Sequence, residues 1–228
     1  MLVTLSLGLL KRNQISKIDD DAFSNLTSLR ELELNDNRLS TLPKAIGQLT
    51  SLQELSLSGN RLKNIPGGIL QRTPGLTLLE LNGNPLNEVD LYAFSFLPNL
   101  KKLILSDARN LKEFPNLNGT SALEFLRLDR ASINYVPPSL CRFCPRLKSL
   151  DLKVNRLTTI PDLTFCRELR VLLLFHHCHR DLAHNKITEL EGRPFKNLSL
   201  LHDLLLSHNS ISNIPREAFI GLKRLQFL

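Results

Sequence analysis

The sequence predicts an α/β solenoid, a stack of short parallel strands joined by loops or short helices, and three observations predict it. Leucine dominates the 228 residues and recurs at fixed spacing from end to end. Each short leucine run alternates apolar and variable positions, the period of a strand with one buried face. An asparagine follows most of these runs at one constant offset.

The repeating unit is L-x-x-L-x-L-x-x-N-x-L, the template of a leucine-rich repeat, whose period is roughly 20–29 residues. One copy runs Leu29, Leu32, Leu34, Asn37, Leu39; the next runs Leu52, Leu55, Leu57, Asn60, Leu62. Leu76, Leu79, Leu81, Asn84 and Leu86 make a third. Two copies lack the asparagine, with Ala108 after Leu100, Leu103 and Leu105, and Ala131 after Leu123, Leu126 and Leu128. The full pattern returns with Asn155 after Leu147, Leu150 and Leu152, and with Asn209 after Leu201, Leu204 and Leu206. Partial copies stand at the two ends, around Leu10, Asn13 and Ile15 and from Leu225 to Leu228. About nine repeats result, in one domain over residues 1–228.

Each residue type has a physical task. No single unit can bury its own apolar face, so stability comes from stacking neighbours. A carboxamide both donates and accepts, so asparagines at 37, 60, 84, 155, 185 and 209 can form a ladder that satisfies backbone groups where the chain leaves the strands. Phe23, Phe94, Phe195 and Phe219 recur in A-F or P-F contexts and are expected to stack as a spine behind the strands.

One unit is interrupted. Deleting residues 173–180 restores the template across Leu169, Leu172, Leu182 and Asn185, so eight residues are read as inserted in mid-strand, as a bulge loop or retained intron sequence. The insert holds His176, His177, Cys178 and His179. Adjacent strand side chains alternate in direction and zinc ligands come in spaced pairs, so no metal site is expected there. The chain also starts and stops inside repeats, without cysteine-rich caps, and exposed leucine edges prone to aggregation are expected.

Composition excludes several functions. No run of about 18 apolar residues offers a membrane span, and the apolar opening lacks the charged start and cleavage site of a signal peptide. There is no phosphate-binding loop, G-x-S-x-G elbow or H-E-x-x-H pair, so no enzyme and no cofactor is expected. The net charge of +7 is spread among acids and is not interleaved with aromatics, which argues against nucleic acid. That excess is expected to help only weakly at an anionic cell surface or proteoglycan.

Cys141-Arg-Phe-Cys144 has C-x-x-C spacing but neither a second pair nor a thioredoxin-like context. Cys141 and Cys166 follow the strands of adjacent repeats, and neighbouring coils can bring such positions within disulfide reach; Cys144 can replace Cys141 in that pairing. Sequons at Asn25, Asn118 and Asn197 all fall in connecting segments, where glycans would stay off the strands. Together these favour an extracellular protein.

Residues 97–169 resemble the ectodomain of leucine-rich-repeat-containing G-protein-coupled receptors, type B, the group of R-spondin receptors and the insect bursicon receptor. The likeness rests on Leu105-Ser-Asp107 in an asparagine-free repeat, Phe114-Pro-Asn-Leu-Asn-Gly-Thr120, Ser139-Leu-Cys141 and Pro161-Asp-Leu-Thr-Phe-Cys166. It implies a right-handed horseshoe with a parallel concave sheet, a Cys141–Cys166 disulfide, and an R-spondin-like or cystine-knot protein as ligand. It also implies a place on the outer face of the plasma membrane, through a seven-helix domain absent from these residues.

The variable strand positions are the expected binding wall. Glu31, Glu33, Glu54 and Glu80 make an acidic area; Lys102, Arg127, Arg130, Lys148 and Asp151 are mixed but lean basic. Phe125 is the candidate anchor, an aromatic expected to face solvent unless Ile104 covers it. The leading function is a ligand-binding receptor ectodomain. A matrix or adhesion protein, or an intracellular adaptor acting by protein–protein contact, is the alternative.

Overall fold

The computed structural model describes residues 5–175 and 185–228. The strands, in chain order, are β1 (Leu7–Leu9), β2 (Glu31–Glu33), β3 (Glu54–Ser56), β4 (Asn64–Ile65), β5 (Leu78–Glu80), β6 (Glu88–Val89), β7 (Lys102–Ile104), β8 (Phe125–Arg127), β9 (Ser149–Asp151), β10 (Val171–Leu173) and β11 (Asp203–Leu205). Nine of them form one parallel sheet in the order β1-β2-β3-β5-β7-β8-β9-β10-β11. Each strand thus lies beside the same strand of the next coil, as expected of a solenoid. The short pair β4 and β6 forms a second sheet on the opposite side. That side otherwise carries loops, two 3-10 turns (Lys44–Gln48 and Leu70–Arg72) and a single helical turn, α1 (Leu140–Phe143).

The leucines explain the coil. In β2 to β9 the template leucines are buried, Leu32, Leu55, Leu79, Leu103, Leu126 and Leu150 among them, and they form one continuous core. Full burial of such a side chain stabilises by about 1.5–3 kcal/mol, and every coil contributes several. β1 departs from the template: Gly8 stands opposite Leu32 where a leucine is usual. Phe94 and Phe195 are fully buried, and Phe195 stacks on Phe219 with ring centroids 6.3 Å apart. The phenylalanines do not form an unbroken spine, because Ile46, Leu70, Leu117 and Leu163 fill the same position, six residues before the leading leucine, in other coils.

The carboxamides of Asn37, Asn60, Asn84, Asn155, Asn185 and Asn209 share one geometry. Each Nδ2 donates to a carbonyl of its own coil and to one of the coil before, at 2.8–3.2 Å. Each Oδ1 accepts a backbone N–H of the preceding coil at 2.9–3.1 Å.

The structure corrects the position of the insert. Leu173 lies in β10, paired with Asp151 and Leu205, and Leu174 is fully buried as the third leucine of its unit. Asn185 donates to the Leu174 carbonyl at 3.0 Å. The eight extra residues therefore fall between Phe175 and Asn185, after the strand. Leu174 and Leu182 fit the template equally well in sequence, and the ladder contact decides for Leu174. The histidine run 176–179 lies outside the described residues.

Among the described residues, the one before a ladder position turns the chain through left-handed backbone. Arg12, Asp36, Gly59, Gly83, Asp107, Arg130, Val154 and His208 all have φ between +54° and +68°. Glycine adopts this freely and Asp often does, but a β-branched valine is strained there. Val154→Gly is expected to stabilise the chain by about 1 kcal/mol, read as a higher urea midpoint with an unchanged slope.

Candidate functional site: the concave wall

The outward positions of the nine strands form two in-register rows across the sheet. The row before the central leucines includes Leu7, Glu31, Glu54, Leu78, Lys102, Phe125, Ser149, Val171 and Asp203. The row after them includes Leu9, Glu33, Ser56, Glu80, Ile104, Arg127, Asp151, Leu173 and Leu205. The wall divides into three zones.

The first zone is acidic. Glu31 and Glu54 are direct register partners, and like charges so placed repel. Glu33 is paired with Lys11 at 2.6 Å, and Glu80 accepts the Ser56 hydroxyl at 2.8 Å. Glu31 and Glu54 have no ion-pair partner among the described residues.

The second zone coincides with the two coils that lack the asparagine. Ala108 and Ala131 are buried in its place. The coils are joined here by polar side chains instead. Arg130 makes a two-pronged bond to Asp107, at 2.7 and 2.9 Å, and also lies 2.9 Å from Asp129. The Ser106 hydroxyl donates to Asp129, and that of Ser132 to the Arg109 carbonyl at 2.7 Å. The bond from Arg130 holds the Asp107 carboxyl below the usual carboxylate range. Asp151 is buried, and burial together with nearby Asp129 raises its pKa despite Lys153 at 3.2 Å. Arg127 spans the two acids, 3.8 Å from Asp129 and 3.7 Å from Asp151. Arg130 and Asp151 are thus largely satisfied within the wall, and Arg130 acts as a tie between coils.

Phe125 is different. It is 43% exposed, with Lys102 on one side and Ser149 on the other. Ile104 is buried and is the register partner of Arg127, not of Phe125. Lys148 stands outside the wall proper: it precedes β9 and is bonded to Glu124 at 2.6 Å on the edge where the chain enters the strands. That bond holds Glu124 below its ordinary value.

The third zone is apolar. Val171, Leu173 and Leu205 are half-buried side by side, and Phe175 receives the Lys153 ammonium 5.7 Å from its ring centre. Placing the insert at 173–180 takes Leu173 and Phe175 off the wall, so the sequence reading misses this zone. The alternative Leu172-x-Leu174 alignment was the signal that could have found it.

On the convex side, Cys141 and Cys166 form a disulfide with Cα atoms 4.9 Å apart. Cys144 is a buried thiol in contact with the Thr120 hydroxyl, and burial pushes its pKa up to about 11. Asn25 and Asn118 are exposed, whereas Asn197 is half-buried and donates to the Thr164 carbonyl at 3.1 Å. Among the described residues no grouping of His, Cys, Asp and Glu could hold a metal ion, and no helix is long and apolar enough to cross a membrane.

The leucine rich repeat family model matches residues 9–62, 50–110 and 181–228. Leucine-rich repeat-containing G-protein coupled receptor 5 of Rattus norvegicus is 39% identical over 142 residues, which cover 62% of this chain and 15% of that receptor. Receptor 4 of Homo sapiens is 32% identical over 223 residues, 91% of this chain and 21% of that receptor. The chain therefore spans about a seventh to a fifth of these relatives. Among solved structures, a chain of the Drosophila Toll–Spatzle complex superposes with a TM-score of 0.81 at 27% identity, covering 92% of this chain and 28% of that one. A leucine-rich-repeat protein of Leptospira interrogans gives 0.79 at 28% identity, covering 95% and 52%. The chain belongs to the leucine-rich-repeat family, and its repeats are of the kind found in the leucine-rich-repeat-containing G-protein coupled receptors.

Proposed function

We propose that the concave wall is the ligand-binding surface of a receptor ectodomain and takes a secreted protein. The observation that carries this is the combination of exposed Phe125 and Lys102 with an unpaired acidic pair on one side and an apolar strip on the other. An exposed aromatic that a partner buries within a charged surround supplies affinity, while the surrounding charges orient the partner. The ligand classes implied by the resemblance are R-spondin furin-like modules and cystine-knot hormones. The receptor's own place is the outer face of the plasma membrane, with the exposed Asn25 and Asn118 available for glycans away from the wall, whereas the Asn197 carboxamide is engaged with the Thr164 carbonyl.

The test is surface binding of the chain to one recombinant protein of each class. Phe125→Ala is expected to weaken capture by the true class by about tenfold or more, the usual hot-spot loss, with an unchanged melting temperature. Leu173→Asp is expected to weaken the same complex. Equal loss of stability and binding in Phe125→Ala, or full binding in both variants, overturns the reading.

A further inference from the structure

The net charge of +7 is not evenly placed: after Glu113 there are sixteen basic residues against ten acidic, and up to it thirteen against twelve. Part of this excess gathers on one face, the edge where the chain enters the strands. Backbone bonds tie the residues of this edge in register from coil to coil, Lys148 to Glu124, Arg170 to Lys148, His202 to Arg170 and Gln226 to His202. Neighbouring coils are therefore about 4.8 Å apart along it. In the first coils the edge is formed by Arg30, Gln53 and Thr77 with Ser28, Ser51 and Gly75, and it carries one charge. From Lys101 onward it changes character. Lys101, Arg146, Arg167, Arg170, Lys223 and Arg224 are all exposed on it. Of the two acids there, Glu124 is already neutralised by Lys148. Arg146, Arg170 and Arg224 have no ion-pair partner among the described residues. A cleft of about 270 Å³ opens between Arg170, His202, Arg224, Gln226 and Leu200.

We propose that this edge binds a sulfated polysaccharide. A strip of basic side chains along one edge, in excess over Glu124 and Glu168, suits a linear polyanion, which can follow the strip and release its counterions. A sulfated sugar chain fits better than single-stranded nucleic acid, which needs aromatic platforms for its bases. Of the exposed aromatics near this edge, Phe165 has the Arg142 guanidinium over its ring at 4.2 Å, and Phe227 stands in register with Asp203 on the concave wall instead. The site is separate from the concave wall, so both partners can be held at once. It rests on the extracellular receptor reading only for its location, where such polysaccharides occur.

The experiment is retention of the full chain on immobilised heparin across a salt gradient. Arg146→Glu/Arg170→Glu/Arg224→Glu is compared with Arg38→Glu/Arg61→Glu/Lys63→Glu, exposed charges on the opposite edge; both variants lower the net charge from +7 to +1. The first is expected to lose about tenfold or more in affinity at physiological salt, and the second only a few-fold. The triple Arg→Gln variant reports the same loss should the charge reversals impair folding, which circular dichroism checks. Equal loss in both reversal variants overturns the proposal, as does equal retention on desulfated heparin or equal displacement by an oligothymidine. Because no protein ligand is present, failure of the wall reading leaves this result unchanged: Phe125→Ala is expected to be retained as the unsubstituted chain is.

Discussion

Asn155→Ala is expected to destabilise the chain by on the order of 2–4 kcal/mol, since it strands the buried carbonyl of Leu128 and the N–H of Ile133, whereas the Leu152 carbonyl keeps its bond from Asn185. The size follows from position. Asn155 is fully buried and is the first ladder residue after the two alanine coils. Its bonds are where the ladder resumes, and no upstream carboxamide can replace them. Repeat arrays fold as units coupled through their interfaces, so the substitution is also expected to weaken the coupling of coils before and after β9. The check is urea unfolding of Asn155→Ala beside Asn37→Ala, whose partner Leu10 is partly exposed to water that can replace the lost bond. A broader transition for Asn155→Ala and a clearly larger cost are expected. Equal costs for the two would show that the ladder has no special position.

Strand register was legible in the sequence because every unit repeats the same constraint: two or three leucines at fixed offsets must enter one core. The eight extra residues were not placed by that constraint, since Leu174 and Leu182 satisfy it alike. The stacked structure separates them, through the burial of Leu174 and the contacts of Asn185 and Asn209 to its carbonyl. The misplacement removed Leu173 and Phe175 from the expected wall and hid its apolar zone. The role of Arg130 was hidden for a different reason. A strand position looks free in sequence, but whether its charge is spent on a neighbour depends on the residue one coil away. Asp107 is 23 positions earlier, and nothing in the template links the two. The basic edge was missed likewise, because its cations are scattered along the chain and meet only when coils are stacked.

Cys141→Ala is expected to cost roughly 3 kcal/mol, the chain-entropy value for a cross-link between residues 25 apart. The repeat spacing makes the test sharper. Cys144 lies three residues before Leu147, and Cys166 lies three residues before Leu169, so the template equates those two. The structure nevertheless joins Cys141, one helical turn earlier, to Cys166. Cys144 instead faces the previous coil at Thr120, and its raised pKa keeps it protonated near neutrality and slow to exchange. In Cys141→Ala, Cys166 is therefore expected to react with a thiol reagent rather than pair with Cys144, as peptide mapping would show. Cys144→Ala should keep the cross-link and lose only about 1 kcal/mol of packing. Reduction of the unsubstituted chain should reproduce the Cys141→Ala melting temperature and shift Cys144→Ala by the same amount. An equal loss in unreduced Cys144→Ala and Cys141→Ala would assign the stabilising cysteine to the position that the repeat spacing favours.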